Sequence, residues 1–270
     1  MQKSASSHSI SPGQRNNFMK ISDIKLEINK IKTMEDLTAS PFNTDERKGV
    51  QSALKSRARL LDKELALAEQ YETMLQHENK HPGLIIAGID EAGRGPLAGD
   101  VVAAAVILPE DRKIIGLDDS KKVPLAKRLA LREEIMEHAD YGVGIVTAEE
   151  IDTHNIYNAT KIAMQRALDN LPRTPDHLLI DAMTLDNSVP QTSLIKGDAV
   201  SNSIAAASII AKTTRDMMME KYDAEYPGYG FANHKGYGTK AHLEALEKYG
   251  AVPIHRKTFE PVKSMFGRQF

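Results

Sequence analysis

Between residues 84 and 222, short apolar runs alternate with longer stretches of helical periodicity, and no other feature of the sequence restricts the fold as much. Residues 84–89, 101–108, 141–146, 177–180 and 193–195 have the length and content of strands. Residues 124–138, about 155–171 and 199–222 carry apolar side chains at helical spacing. Thr147-Ala148-Glu149-Glu150 has the form of a capping box, in which the Thr hydroxyl and the Glu carboxylate each satisfy a free backbone N–H. This order specifies an α/β chain with helices flanking a central sheet.

Before this body, residues 21–31 read as a short amphipathic helix, 40–43 as a turn, and 45 to about 77 as one long helix. Leu54, Leu61, Ala68 and Leu75 recur by sevens along it, a pattern of a helical hairpin or a short coiled coil. His81-Pro82-Gly83 breaks the pattern and marks a boundary. The expected organisation is a tail over 1–20, a helical N-terminal extension over 21–82, and a catalytic domain over 83–270 with a C-terminal helical segment.

Composition narrows the chemistry. The 270 residues contain no cysteine, which excludes disulfides, zinc–thiolate sites and iron–sulfur clusters. The longest apolar run, 101–108, is far short of the roughly 18 residues a bilayer span requires. Residues 1–18 are polar and lack the apolar core of a secretory signal, with Met19 an alternative start, so the expected location is the cytoplasm. The net charge of −2 is not that of a strongly basic nucleic-acid binder, but residues 231–270 have a local balance of +4. That stretch suits either phosphate contacts or a solvated surface.

The acids are the informative residues. Asp90-Glu91 and Asp181 follow directly on an apolar run expected to be a strand, and Asp198 follows the brief run 193–195 across Lys196-Gly197. Ligands of open α/β sheets gather beyond strand ends, so one cleft can receive all four carboxylates. A hard, all-oxygen donor set without His or Cys suits Mg²⁺ or Mn²⁺. A pair of such ions is an arrangement used to cut phosphodiesters. Each acid also has a plainer explanation: Asp198 as the N-cap of the following helix, Asp181 and Asp90-Glu91 as solvated turns. The apolar setting of all three sites favours a purpose, because buried charge is costly.

The segment Gly88-Ile89-Asp90-Glu91-Ala92-Gly93-Arg94-Gly95-Pro96-Leu97-Ala98-Gly99 resembles the opening signature of bacterial ribonuclease HII. So do Asp119-Ser120-Lys121-Lys122, Leu179-Ile180-Asp181-Ala182, Lys196-Gly197-Asp198, the helix from Ser203 to Lys212, His234-Lys235-Gly236-Tyr237-Gly238-Thr239 and His255-Arg256. The resemblance runs from about Leu84 to the C-terminus, and the helical N-terminal segment is similar to the extension of some bacterial members. It implies a ribonuclease H-like fold, with a mixed central sheet. The implied activity is endonucleolytic cleavage of RNA paired with DNA, including nicking 5′ to a single ribonucleotide embedded in duplex DNA. The expected ends are 3′-hydroxyl and 5′-phosphate.

The resemblance further implies Asp90, Glu91, Asp181 and Asp198 as catalytic ligands of Mn²⁺ or Mg²⁺, two ions with substrate bound. Gly93-Arg94-Gly95 matches the loop that reads the ribose 2′-hydroxyl, and Tyr237 the tyrosine that packs on the neighbouring sugar. Lys121 and Lys122 suit phosphate contacts or a solvated loop equally well. Lys212, Arg215 and Asp216 suit either a functional group near the cleft or helix-surface charges, with a structural or supporting role favoured, and His255 and Arg256 are expected to contact the backbone or close the C-terminal fold. A monomer is expected, with the N-terminal helices open to a replication or repair partner. Asp100 stands where the family usually has proline, which restores an N–H and adds a charge. It is expected either to alter the turn that positions Gly93-Arg94-Gly95 or to add a fifth acid near the site, tolerably in both cases.

Two rivals differ in what they need. A ribonuclease HIII would have a sheet-containing N-terminal domain and lack Gly-Arg-Gly. A non-catalytic nucleic-acid binder would not need four acids.

Overall fold

The computed structural model describes residues 19–266, so residues 1–18 of the tail expected over 1–20 lie outside the described residues. The chain forms two compact units that divide at Gln70, within a long helix.

In the first unit, helices α1 (Ile21–Lys30) and α2 (Met34–Thr38) precede α3 (Lys48–Met74). The 3₁₀ turn Pro41–Thr44 fills the expected turn, while α2 was not anticipated; Thr33 caps it by accepting from the Asp36 N–H at 3.0 Å. Ile24, Ile28, Leu37, Val50, Leu54 and Leu61 form its core. The helix expected to start at residue 45 starts at Lys48, because the Asp45 carboxylate binds the Arg47 guanidinium and its backbone N–H instead.

The second unit holds a five-stranded mixed sheet in the order β3-β2-β1-β4-β5: β1 (Ile86–Ala92), β2 (Val101–Ile107), β3 (Asp140–Val146), β4 (His177–Asp181) and β5 (Gln191–Leu194). The β1–β2 and β2–β3 pairs are antiparallel; β1–β4 and β4–β5 are parallel. Helix α4 (Leu125–His138) lies between β2 and β3 in the chain, and α5 (Ala148–Asp169) follows β3. After β5 come α6 (Asn202–Glu225) and the C-terminal helices α7 (Phe231–His234), α8 (Lys240–Tyr249) and α9 (Val262–Phe266).

Strand alternation sends Ala87, Ile89, Val101, Ala103 and Ala105 into one core with Ala159, Ala163 and Met164 of α5. Ala104 and Val106 join Leu131 and Ile135 of α4 and Ala206, Ile209 and Ile210 of α6 on the other face. Each fully buried aliphatic side chain contributes about 1.5–3 kcal/mol. Among the described residues no helix is long and apolar enough to cross a membrane.

Three boundaries depart from expectation for local reasons. β1 continues through Asp90 and Glu91 to Ala92 because its ladder to β2 continues, with Glu91 opposite Ala103. α5 begins at Ala148, where the Thr147–Glu150 capping box is fully formed, and bends at Asn155 (φ 63°, ψ 163°), whose side chain accepts from the Asn158 N–H. The helix expected from 199 starts at Asn202, capped by Ser201. Asp198 is therefore not its N-cap; it lies in the preceding 3₁₀ turn Gly197–Ala199.

Candidate active site

Parallel pairing carries the carboxylates to one sheet edge. Ile89 of β1 is in register with Ile180 of β4, so the next residues along these strands, Asp90 and Asp181, come side by side. β5 runs parallel to β4, and Lys196 (φ 56°) turns the chain back so that the Gly197–Ala199 turn lies over the strand ends. The Gly197 N–H donates to Asp181 Oδ1 at 2.6 Å, which ties the turn to β4. Packing of α6 on β1 needs a bare backbone at Gly88: a Cβ there would stand 2.1 Å from the Ser203 carbonyl carbon.

Asp90, Glu91, Asp181 and Asp198 consequently line one pocket of about 370 Å³ with Gly93, Arg94, Gly95, Ser120, Lys121, Ser208, Lys212, Arg215 and Tyr237. Lys122 does not line it. Its ammonium is exposed and 3.4 Å from the Asp118 carboxylate. Ser208 is not among the sequence candidates, and Lys212 and Arg215, weighed there between the cleft and a structural role, both line the pocket; the spacing of four and three places all three on one face of α6.

Asp90, Glu91 and Asp198 are held above the ordinary carboxylate range. Burial, then the charges of Glu91 and Asp181, pushes the Asp90 carboxyl well up, although Oδ1 accepts from the Glu91 N–H at 2.8 Å. Glu91 is pushed up by burial, relieved by Arg94, whose guanidinium is 3.6 Å away. Asp198 is raised to about 6 by burial and by Asp119 and Asp181, against the pull of Lys121. Glu91 Oε2 is buried and has no hydrogen-bond partner.

This donor set fits a hard divalent cation: oxygen only, mutually repelling, with an orphaned buried carboxylate oxygen. Asp90, Glu91, Asp181 and Asp198 are the residues that could hold one. Among the described residues no three Asp, Glu or His side chains gather around one point; one or two carboxylates completed by waters and phosphate oxygens are a usual set for Mg²⁺.

Behind the pocket, two buried arginines fix the 93–100 loop. Arg256 donates to the carbonyls of Gly93, Arg94 and Gly99, and Arg215 to those of Ala98, Asp100 and Lys235. Gly93 (φ 98°) has no room for a side chain: a Cβ would lie 2.1 Å from Arg215 Nε. With its carbonyls turned to the arginines, the loop runs along the pocket at Gly93, Arg94 and Gly95, next to the Tyr237 ring. Tyr237 is 46% exposed, while its carbonyl is hydrogen-bonded to buried His242 at 2.9 Å. Asp100 is not a fifth acid of the pocket. It is buried, accepts from the Tyr222 hydroxyl at 3.0 Å, and leaves the loop held by both guanidiniums.

Comparison with known proteins agrees with this arrangement. The family model for ribonuclease HII matches residues 87–262, and that for the ribonuclease HII N-terminal domain matches residues 20–81. Ribonuclease HII of Staphylococcus aureus strain MSSA476 is 56% identical over 250 residues, covering 91% of this chain and 98% of that protein. The solved ribonuclease H2 of Pyrococcus horikoshii superposes with a TM-score of 0.59 at 30% identity, covering 68% of this chain and 97% of that one. The ribonuclease HII of Archaeoglobus fulgidus, solved in complex with PCNA, gives 0.56 at 26% identity over 66% and 96%. The chain belongs to the ribonuclease HII family, metal-dependent endoribonucleases that cleave RNA in RNA–DNA hybrids.

Proposed function

We propose that the pocket cuts the strand 5′ to a ribonucleotide, in hybrids and at single ribonucleotides in duplex DNA, with Asp90, Glu91, Asp181 and Asp198 holding two Mn²⁺ or Mg²⁺ ions. The observation that supports this most is the sharing of one pocket by four acids from β1, the end of β4 and the turn after β5, one of them with an orphaned buried oxygen. Bound there, the cations would supply Lewis acidity and an activated water. The chain's own residues bind and orient. Lys121 and Lys212 at the rim offset phosphate charge. Lys122, outside the pocket, reaches a flanking phosphate. Gly93-Arg94-Gly95 lets backbone approach the sugar, where the 2′-hydroxyl separates RNA from DNA. The exposed face of Tyr237 packs on the adjacent sugar. Water adds at phosphorus and the 3′-oxygen leaves, giving 3′-hydroxyl and 5′-phosphate ends.

The chain acts as a monomer in the cytoplasm on this reading. A replication or repair partner would meet residues 21–82; the archaeal relative's complex with PCNA is the precedent for such partnership.

The test is a labelled duplex with one ribonucleotide, incubated with and without Mn²⁺ or Mg²⁺ and end-mapped. A nick 5′ to the ribonucleotide that requires the ion is expected. A shifted but uncut duplex in Mn²⁺ would instead indicate a binding module. Tyr237→Ala should slow junction cleavage about tenfold and weaken general duplex binding less; equal losses in both assays would remove its recognition role.

A further inference from the structure

Another acid, outside the pocket, is tied to the turn that carries Asp198. Glu78 opens the 3₁₀ turn Glu78–Lys80, which follows α3 and lies in the second unit. Its Oε1 accepts three hydrogen bonds: from the Ser201 hydroxyl at 2.7 Å, the Ser203 hydroxyl at 2.8 Å and the Ser203 N–H at 3.0 Å. Its Oε2 is buried and has no hydrogen-bond partner. Ser201, Asn202 and Ser203 are themselves buried, and Asn202 Nδ2 donates to the Tyr71 carbonyl at 2.8 Å. The stretch from Tyr71 to Glu78 therefore holds the start of α6 at two points.

Helix capping does not account for Glu78. Ser201 already caps α6 by accepting from the Ile204 N–H at 3.3 Å. A carboxylate is favourable at a helix N-terminus, but a cap needs no second oxygen sealed away without a partner, which is costly. What the three bonds achieve is to fix Ser201 from both sides. Its hydroxyl is held by Glu78, and its N–H donates to the Gly197 carbonyl at 2.9 Å. The Gly197 N–H is held in turn by Asp181. Gly197 is thus anchored at one end by an acid of the pocket and at the other by the residue Glu78 holds, and Asp198 comes next in the chain. The Ser203 carbonyl packs over Gly88, two residues before Asp90, so the same bonds seat α6 on β1.

We propose that Glu78 is a positioning residue for Asp198. Through Ser201 and Ser203 it fixes the Gly197–Ala199 turn, so that the Asp198 carboxylate is set for a divalent cation, and Glu78 touches neither cation nor substrate. The inference rests on the reading of Asp198 as a ligand. What matters in Glu78 is reach, from its own turn to both serines at once. Partners that orient a ligand in this way set metal affinity nearly as much as the ligand does.

The test titrates the full chain with Mn²⁺ without substrate. The rise of each variant's thermal midpoint is read from its own metal-free value, so that lost stability drops out. Cleavage is then measured over the same Mn²⁺ range. Glu78→Ala should need about tenfold more Mn²⁺ for both responses, with KM for the duplex changed less than about twofold. Glu78→Asp keeps the charge and shortens the reach, and should need about threefold more; it carries the test should the Ala variant not fold. Glu78→Gln keeps the reach and should stay within about twofold of the wild type. Thr147→Ala removes the cap of α5, which does not touch the Asp198 turn, and should lower the midpoint while leaving the Mn²⁺ requirement as it was. Asp198→Asn should show the largest shift of all. A wild-type Mn²⁺ requirement in Glu78→Asp and in any folded Glu78→Ala overturns the proposal, as does an equal shift in Thr147→Ala. If Asp198→Asn shifts and the Glu78 variants do not, the positioning role alone fails; if Asp198→Asn does not shift, the ligand assignment fails and takes the positioning role with it.

Discussion

Asp90, Glu91, Asp181 and Asp198 meet in one pocket with their charges opposed to one another, whereas Arg215 and Arg256, just behind it, are as deeply buried and have their guanidiniums directed at backbone carbonyls. Burial works against the charged form in both places: it raises Asp90, Glu91 and Asp198 and lowers Arg256 to about 9. The difference is compensation. The arginines answer to carbonyls of a loop that could not otherwise satisfy them, and so they make a scaffold. The acids answer chiefly to one another, which is a cost that folding alone does not explain. Charge that is satisfied holds the site in shape; charge that is not is free to engage a ligand.

Two substitutions should separate these roles most sharply. Asp90→Asn removes a disfavoured charge and almost no volume. Cleavage should fall by about a thousandfold or more while the thermal midpoint stays level or rises. Mn²⁺ should raise the midpoint of the wild type and not of the variant, a readout independent of turnover. Cutting at the wild-type rate would break the comparison on its acidic side. Arg256→Met strands the Gly93, Arg94 and Gly99 carbonyls and should cost about 3 kcal/mol or more in denaturant unfolding. Lys at this position should recover part of that stability but less of the discrimination between ribo- and deoxyribo-substrates, because one ammonium cannot reproduce a planar fork.

How much of this was legible in the sequence follows the same division. Asp90-Glu91 and Asp181 could be read because each ends an apolar run, Asp198 because it stands two residues beyond one, and the α/β order from periodicity alone. What brings Asp90 next to Asp181 is the parallel β1–β4 register, a pairing across about ninety residues that no local pattern encodes. The scaffold was less visible. A structural role for Arg215 and Arg256 could be expected but not their targets, since their partners are main-chain carbonyls, which every residue carries. Asp198 was open to reading as a helix cap because Ser201, the true cap, is an equally good one three residues later. Ser208, Lys212 and Arg215 share a face of α6 by their spacing alone, but that this face borders the acids follows only from the packing of α6 on β1.

The histidines beside Arg256 extend the comparison to pH. His255 is buried, 3.1 Å from His242 Nε2, with Tyr229, Phe231 and His234 around this pair. Burial, then His242, lowers it to about 4, from 6.5 when exposed. Between those values the unfolded chain binds a proton that the folded chain does not. Stability from this site is therefore whole above about pH 6.5 and is lost as pH falls through 4, by up to about 3 kcal/mol. Denaturant titrations across this window should show the decline in the wild type and a shallower one in His255→Asn.

Asp100 gives the smallest effect and the finest test. It is an acid buried near the site, like the four, yet it lies outside their pocket and is partnered, like the arginines. Burial raises its carboxyl, while the Tyr222 hydroxyl and the Arg215 charge pull it down. If compensation decides the role, Asp100→Asn keeps a hydrogen-bonding group for Tyr222, changes unfolding free energy by no more than about 1 kcal/mol, and leaves the cleavage rate unchanged. A large loss of cleavage in a variant that unfolds normally would place Asp100 with the four carboxylates, and the line between satisfied and unsatisfied charge would then not be the line between scaffold and site.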